Sequence, residues 1–399
     1  MRRGMPLTPA RTVPDWRRRL DRLGARTMTA VGDWLAPRAR AAPSEPRISA
    51  LVAAVAVAGG VLPILVMAVT WATRPEPARP EPPCRAPRQP AGYVLADRPG
   101  EDRYRPGRQC NSAGAENTVE RSGTGRYLVV LGRLGRAGGV AEVTAVTRDD
   151  RICTLLDWHP DGADELLRVN CFDRAGKPAD SGFTARWHLG AGAGAAAYLR
   201  LGDPGRTSQT VDDEYSHNGR GGTNSADRED TGSYVVHFGS MDDVDGGTVK
   251  VTPVADAATV CEVQRWFAYP EGRNLAVRVR CRDVTGQPVD SRFAITFAAG
   301  PDAVHGGYLR ADRPGEARYT PRGPFQLNRA GQASVVTRTG RGQYRVGLGG
   351  LPGTGDLQVT PYDTAASCVI GPDDDAVHVI CHAPSGARAD AGFLLIARR

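Results

Sequence analysis

The sequence predicts an all-β ectodomain: three tandem antiparallel β-sandwich or barrel-like repeats after one N-terminal transmembrane helix. Three observations lead there. One long stretch near the N-terminus carries no charge, one string of landmarks recurs three times, and within each copy apolar residues alternate with polar ones. Gly and Pro supply 48 and 30 of the 399 residues, a composition of turns and short strands.

The apolar stretch runs from Ile48 to Thr73, 26 residues without a charge. About 20 apolar residues cross a bilayer as helix, so residues 48–73 are long enough to span. Eleven Arg and four acids precede the span, a surplus of +7 that equals the net charge of the whole chain. Arg-rich flanks stay on the cytoplasmic side, so residues 1–47 are expected inside and the remainder outside. The rival reading, a cleaved signal peptide, fits poorly with so long a leader and core. Within residues 1–47, Trp16, Leu20, Leu23, Thr27, Val31, Trp34 and Leu35 recur at helical spacing. That pattern allows an amphipathic helix on the inner leaflet, while Gly24 and Gly32 favour a solvated basic tail. Beyond the span, residues 74–90 hold seven Pro in seventeen positions. Pro fixes φ and lacks an amide proton, so this is a polyproline stalk of roughly 50 Å.

The triplicated landmarks begin with Gly92-Tyr93-Val94-Leu95-Ala96-Asp97, Ala197-Tyr198-Leu199-Arg200-Leu201 and Gly307-Tyr308-Leu309-Arg310-Ala311-Asp312. A Gly-x-Tyr step follows at Gly125, Gly232 and Gly342, and then a Val-Thr strand at Val143-Thr144, Val251-Thr252 and Val359-Thr360. A Cys pair and a Phe strand at Phe183, Phe293 and Phe393 close each copy. Tyr127, Tyr234 and Tyr344 are 107 and 110 residues apart, a period of whole small domains rather than of a solenoid. The repeats are bounded at residues 91–189, 196–299 and 305–397. Tyr234, Val236 and Phe238 alternate with Val235 and His237, and Val249 and Val251 bracket Lys250. Alternation of this kind predicts one buried and one wet face per strand, with about seven strands per repeat. Whether the repeats stand apart as beads or close into one propeller-like ring is left open by the pattern.

All eight Cys follow the span, in an oxidising compartment if the topology holds. Cys153 and Cys171, Cys261 and Cys281, and Cys368 and Cys381 are each symmetric about a turn sequence. Two strands leaving such a turn would bring the pair face to face, so three disulfides are expected. Cys84 and Cys110 remain, and pair with each other or between molecules. Zinc is a poor alternative, since no C-x-x-C occurs and spacings of 13 to 20 are not those of a zinc ribbon.

Neither chemistry nor a cofactor is written in recognisable form. The seven His do not align across the repeats, and no nucleophile elbow, Walker loop, zincin helix or dinucleotide fingerprint occurs. No catalytic, cofactor-binding or metal residues are therefore assigned. The irregular loop of the second repeat, with Asp213, Glu214 and His217, is the one place for an acid–base pair, and reads more simply as a solvated loop. Asp242 to Gly246 resembles a fragment of a calcium loop without its distal Glu, and Asp373 to Asp375 sits at an expected turn tip. Trp158 and Trp266, five residues after the first Cys of their pairs, are read as packing residues, with glycan stacking as the alternative.

The string Gly-Tyr-x-x-Ala-Asp-x-Pro, Thr-Gly-x-Tyr-x-Val, Val-Thr, Cys pair and Gly286-Gln287-Pro288-Val289-Asp290-Ser291-Arg292-Phe293 resembles a β repeat of secreted and membrane-anchored proteins from high-G+C bacteria. The resemblance covers residues 91–397 and implies a surface location, but carries no activity. The expectation is a single-pass cell-membrane protein, not an enzyme, whose outer repeats bind or scaffold an envelope glycan, wall polymer or protein. The alternatives are a hydrolase with a diverged site in the second repeat and a transmembrane sensor. Outside residues 1–47 the charges cancel, so nucleic acid is not an expected partner and recognition should rest on shape and hydrogen bonding.

Overall fold

The computed structural model describes residues 89–190, 194–351, 355–372 and 376–398. The basic segment 1–47, the apolar span 48–73, Cys84, almost all of the stalk and Asp373 to Asp375 lie outside them. Among the described residues no helix is long and apolar enough to cross a membrane.

Each repeat supplies nine strands rather than the seven expected. In the first repeat these are β1 (Ala91–Ala96), β2 (Arg103–Tyr104), β3 (Gln109–Asn111), β4 (Asn117–Gly123), β5 (Arg126–Leu131), β6 (Val140–Val146), β7 (Ile152–Asp161), β8 (Asp164–Phe172) and β9 (Gly182–His188). The second follows with β10 (Ala196–Leu201), β11 (Ser208–Val211), β12 (Ser216–Asn218), β13 (Asn224–Asp230), β14 (Ser233–Gly239), β15 (Thr248–Val254), β16 (Thr259–Tyr269), β17 (Asn274–Asp283) and β18 (Arg292–Ala298). The third holds β19 (Gly306–Ala311), β20 (Arg318–Tyr319), β21 (Gln326–Asn328), β22 (Val335–Gly340), β23 (Gln343–Gly347), β24 (Asp356–Tyr362), β25 (Ser367–Ile370), β26 (Val377–His382) and β27 (Gly392–Arg398). The extra strands are pieces of two to four residues at sheet edges, such as β2 and β20, too short to show an alternating pattern.

The 27 strands form three nine-stranded sheets, none closed into a barrel, so the barrel-like alternative is corrected. Each sheet takes four strands from one repeat and five from a neighbour. The first joins β20-β22-β23-β26-β25 of repeat 3 to β6-β9-β1-β3 of repeat 1. The second joins β12-β10-β18-β15 of repeat 2 to β7-β8-β5-β4-β2 of repeat 1, and the third joins β11-β13-β14-β17-β16 of repeat 2 to β24-β27-β19-β21 of repeat 3. The pairing therefore runs in a cycle, 1 to 2, 2 to 3 and 3 to 1. Within a repeat the two halves face each other across an apolar core: Val94 and Ala185 meet Val129, Leu167 and Val169 in repeat 1.

The seams between repeats are narrow. Each is one parallel bridge, Val254 with Leu155, Tyr362 with Val263 and Ile370 with Val146. One backbone bond extends each bridge, from Ala255 N to Leu155 O, Asp363 N to Val263 O and Thr147 N to Ile370 O.

The Cys pairs lie in the hairpins β7–β8, β16–β17 and β25–β26, directly opposed, with Cα atoms 4.1, 4.0 and 4.1 Å apart and the sulfurs at bonding distance. In the first two hairpins a β-bulge, between Leu155 and Asp157 and between Val263 and Arg265, moves the turn half a residue from the midpoint of the Cys pair. Cys110 is disulfide-bonded.

Candidate functional site

Most of the recurring landmarks resolve into one structural knot, built three times. In repeat 2 the Tyr234 hydroxyl donates toward Asp290 Oδ1 (3.0 Å) and Pro204 O (3.2 Å), and accepts from Ser291 N (3.2 Å). Arg228 grips the Asp290 carboxylate through Nε and Nη2, and Gly232 N donates to its Oδ1 at 2.8 Å. Arg121, Gly125, Tyr127 and Asp180 repeat the arrangement, as do Arg338, Gly342, Tyr344 and Asp390. The Arg hydrogen bond, against the opposing effect of burial, holds the carboxyls of Asp180, Asp290 and Asp390 below their ordinary value. The Gly has no substitute. Gly232 has φ of +65°, and a Cβ there would lie 2.5 Å from Cys281 O.

The residues that differ between repeats gather elsewhere, where β6, β15 and β24 come together. Their Val-Thr steps form a closed cycle: Val143 N donates to Thr252 Oγ1 (3.4 Å), Val251 N to Thr360 Oγ1 (3.3 Å) and Val359 N to Thr144 Oγ1 (3.2 Å). This cycle defines a pseudo-three-fold axis. The face of β15 expected to be wet is turned into it, so Lys250 is 4% exposed rather than solvated. The alternation Val249-Lys250-Val251 is real, but its second face meets two sister strands instead of water.

At this position the repeats carry Glu142, Lys250 and Gln358, all buried. The Lys250 ammonium is fully satisfied, donating to Val359 O (2.9 Å), Val143 O (3.0 Å) and Thr144 Oγ1 (3.1 Å). It thereby ties repeat 2 to both others. Burial draws its pKa down to about 8, against the attraction of Glu142 and Asp356. Glu142 accepts from Arg398 Nη1 (2.7 Å) and from Thr296 Oγ1 (2.7 Å). Burial alone would raise its pKa, but the Arg398 guanidinium overrides this and brings it to about 2. Asp356 Oδ1 accepts from Gln358 Nε2 (2.9 Å) and Oδ2 from Arg398 Nη1 (3.1 Å), with Arg186 Nη1 3.5 Å from the same Oδ2. His188, opposite Val140 in the β6–β9 register, is kept neutral by burial and the nearby Arg186, its pKa pushed down to about 3. Three cations, Lys250, Arg186 and Arg398, then face two carboxylates, and burial lowers the pKa of both Lys250 and Arg186.

On the axis lies a pocket of about 50 Å³. Val143, Val251 and Val359, then Cys153, Cys261 and Cys368, line it from all three repeats, with Lys250, Arg151, Thr144, Thr259 and Ser367 among its polar side chains. It is large enough for a few waters.

Two of the three seams carry an Arg between aromatic rings. Arg200 stacks 3.3 Å over Tyr215 with Trp158 of repeat 1 at 5.4 Å, and Arg310 stacks 3.3 Å over Phe325 with Trp266 of repeat 2 at 5.4 Å. The matching residue at the seam of repeats 3 and 1 is Leu95. Trp158 and Trp266 are 1% and 7% exposed, and their indoles donate to Gly138 O and Gly246 O. They pack the seams and present no ring for glycan stacking.

The loop of repeat 2 is likewise occupied with the fold. Asp213 Oδ1 accepts from Tyr215 N, Glu214 O accepts from Gly139 N, and His217 stacks on Tyr198 at 5.7 Å. Asp242 to Gly246 forms the turn between β14 and β15, where Asp243 pairs with Arg220. Among the described residues no three His, Cys, Asp or Glu side chains are grouped as a metal site.

The axial residues are missing from the sequence-based assignments. One signal was available: the chain uses 49 Arg and only two Lys, and one of those Lys sits in the Val-Thr strand. No family model, curated protein or solved structure matches this chain.

Proposed function

We propose that the protein is a single-pass, N-in surface protein whose three repeats, closed into one ring beyond a Pro-rich stalk, bind or scaffold an envelope glycan, wall polymer or protein without catalysis. The observation that carries this reading is the use of the repeated residues. The side chains shared by all three copies are spent on the Arg–Asp–Tyr knots, the disulfides and the Val-Thr cycle, which leaves a rigid body with varied outer surfaces. Rigidity of this kind lowers the entropy cost of recognition. The basic flank and apolar span support the anchor, and the resemblance to repeats of high-G+C bacterial surface proteins supports the location.

Full-length protein in lipid nanodiscs, sedimented with isolated cell-wall polymer and with outer-surface protein fractions, tests the proposal. Saturable retention by one fraction is expected, and retention by none refutes it. The hydrolase reading, on Asp213, Glu214 and His217, draws less support, because Asp213 holds a turn and His217 stacks on Tyr198. The sensor reading would require an output through residues 1–47, a segment with no recognisable domain.

A further inference from the structure

We propose that Thr144 and Gln358 become joined by a self-formed ester, a covalent cross-link between repeats 1 and 3. The chain itself links repeat 1 to 2 and repeat 2 to 3, but no peptide joins 3 to 1. That seam also lacks the Arg–aromatic stack of the other two. Besides its Ile370–Val146 bridge and the Ser367–Asp150 bond, it has the Glu142–Arg398 pair and the contact between Thr144 and Gln358.

The Thr144 hydroxyl is held beside the Gln358 carboxamide. The Thr144 hydroxyl donates to Gln358 Oε1 at 2.8 Å, and the two residues are 4% and 0% exposed. Neighbouring groups that reach a near-attack geometry react with effective molarities of about 10⁵ M and above. Lys250 Nζ lies 3.1 Å from Thr144 Oγ1 and is the group placed to move its proton. Its lowered pKa leaves a fraction of neutral amine near neutrality. Gln358 Nε2 is oriented by Asp356.

The step balances without a cofactor or oxidant. Thr144 Oγ adds to Gln358 Cδ while the neutral Lys250 amine takes the hydroxyl proton. The bond from Cδ to Nε2 then breaks, Lys250 returns the proton to the leaving nitrogen, and ammonia departs. One C–O bond forms and one C–N bond breaks. Dilution of ammonia into bulk solvent draws the reaction forward, and burial of Thr144 and Gln358 shields the ester from bulk water. Pseudo-symmetry isolates the requirement: Thr252 and Thr360 accept from the strands led by Glu142 and Lys250, which offer no carboxamide.

The test is peptide mapping of the full-length protein purified in detergent. Trypsin should place Thr144 in Ala137–Arg148 and Gln358 in Val346–Arg388. One joined species is expected, lighter than the sum of the two peptides by about 17 Da, the mass of ammonia, and split by hydroxylamine. Thr144→Val should yield two separate peptides, and Thr144→Ser should retain the joined species. Separate full-mass peptides from the wild-type protein overturn the proposal. A joined species that resists hydroxylamine and maps to Lys250 is an amide, and overturns it as well.

Discussion

Replacing Lys250 by Met probes the axis directly. Methionine fills a similar length without charge, so the substitution removes the ammonium and its three hydrogen bonds to repeats 1 and 3. The informative quantity is the dependence of stability on pH rather than the stability itself. Burial lowers the Lys250 pKa from 10.5 to about 8 in the folded protein. Between those two values the unfolded chain binds the proton more tightly than the native state, so wild-type stability should rise as the pH rises through this window. Below about pH 8 the folded protein carries the full cost of a buried charge, and above about 10.5 neither state does. At about 1.4 kcal/mol per pH unit the rise amounts to about 3 kcal/mol. Guanidinium unfolding of wild-type and Lys250→Met protein at a series of pH values gives the difference curve. Other titrating groups are common to both proteins and cancel. Parallel curves between about pH 8 and 10.5 would show that Lys250 is not the charge held at the axis.

Three further outcomes follow from the geometry. Glu165 is fully buried and its carboxyl is pushed up to about 8 by burial. Its contribution to stability is full below about pH 4.5 and is lost as the pH rises through about 8, so thermal melts of Glu165→Gln should vary less with pH across that range. Tyr234→Phe removes a hydroxyl bonded to Asp290, Pro204 and Ser291, and should cost about 1–3 kcal/mol in denaturant unfolding. Arg310→Leu strips the stacked cation from the seam of repeats 2 and 3 and should cost about 1–2 kcal/mol. Adding Arg200→Leu, which acts at a different seam, should lower stability by the sum of the two single effects.

What could be read beforehand was local. The turn-centred Cys pairs are directly opposed in their hairpins because a hairpin brings equidistant residues together, and a one-residue bulge shifts only the turn. Gly125, Gly232 and Gly342 recur because a Cβ there would collide with the carbonyl oxygen of Cys171, Cys281 or Cys381. Period two in Tyr234, Val236 and Phe238 gave the buried face of β14. The same rule misplaced Lys250, since alternation distinguishes the two faces of a strand but not what lies against the second one. The edge pieces β2 and β20 escaped notice because two residues cannot show a period.

The sequence by itself determined that this chain is made of three homologous β units, where their turns and Cys pairs fall, and that one apolar stretch stands apart from them. These follow from backbone geometry and the burial of alternate side chains, which act over a few residues. Only the tertiary structure decided that each unit divides its strands between two shared sheets and that the pairing runs in a cycle. It alone brought Glu142, Lys250 and Gln358, each more than a hundred residues from the next, into one buried axial network. Contacts of that range depend on how whole sheets meet, and no pattern within a single repeat encodes which residue will face its copies.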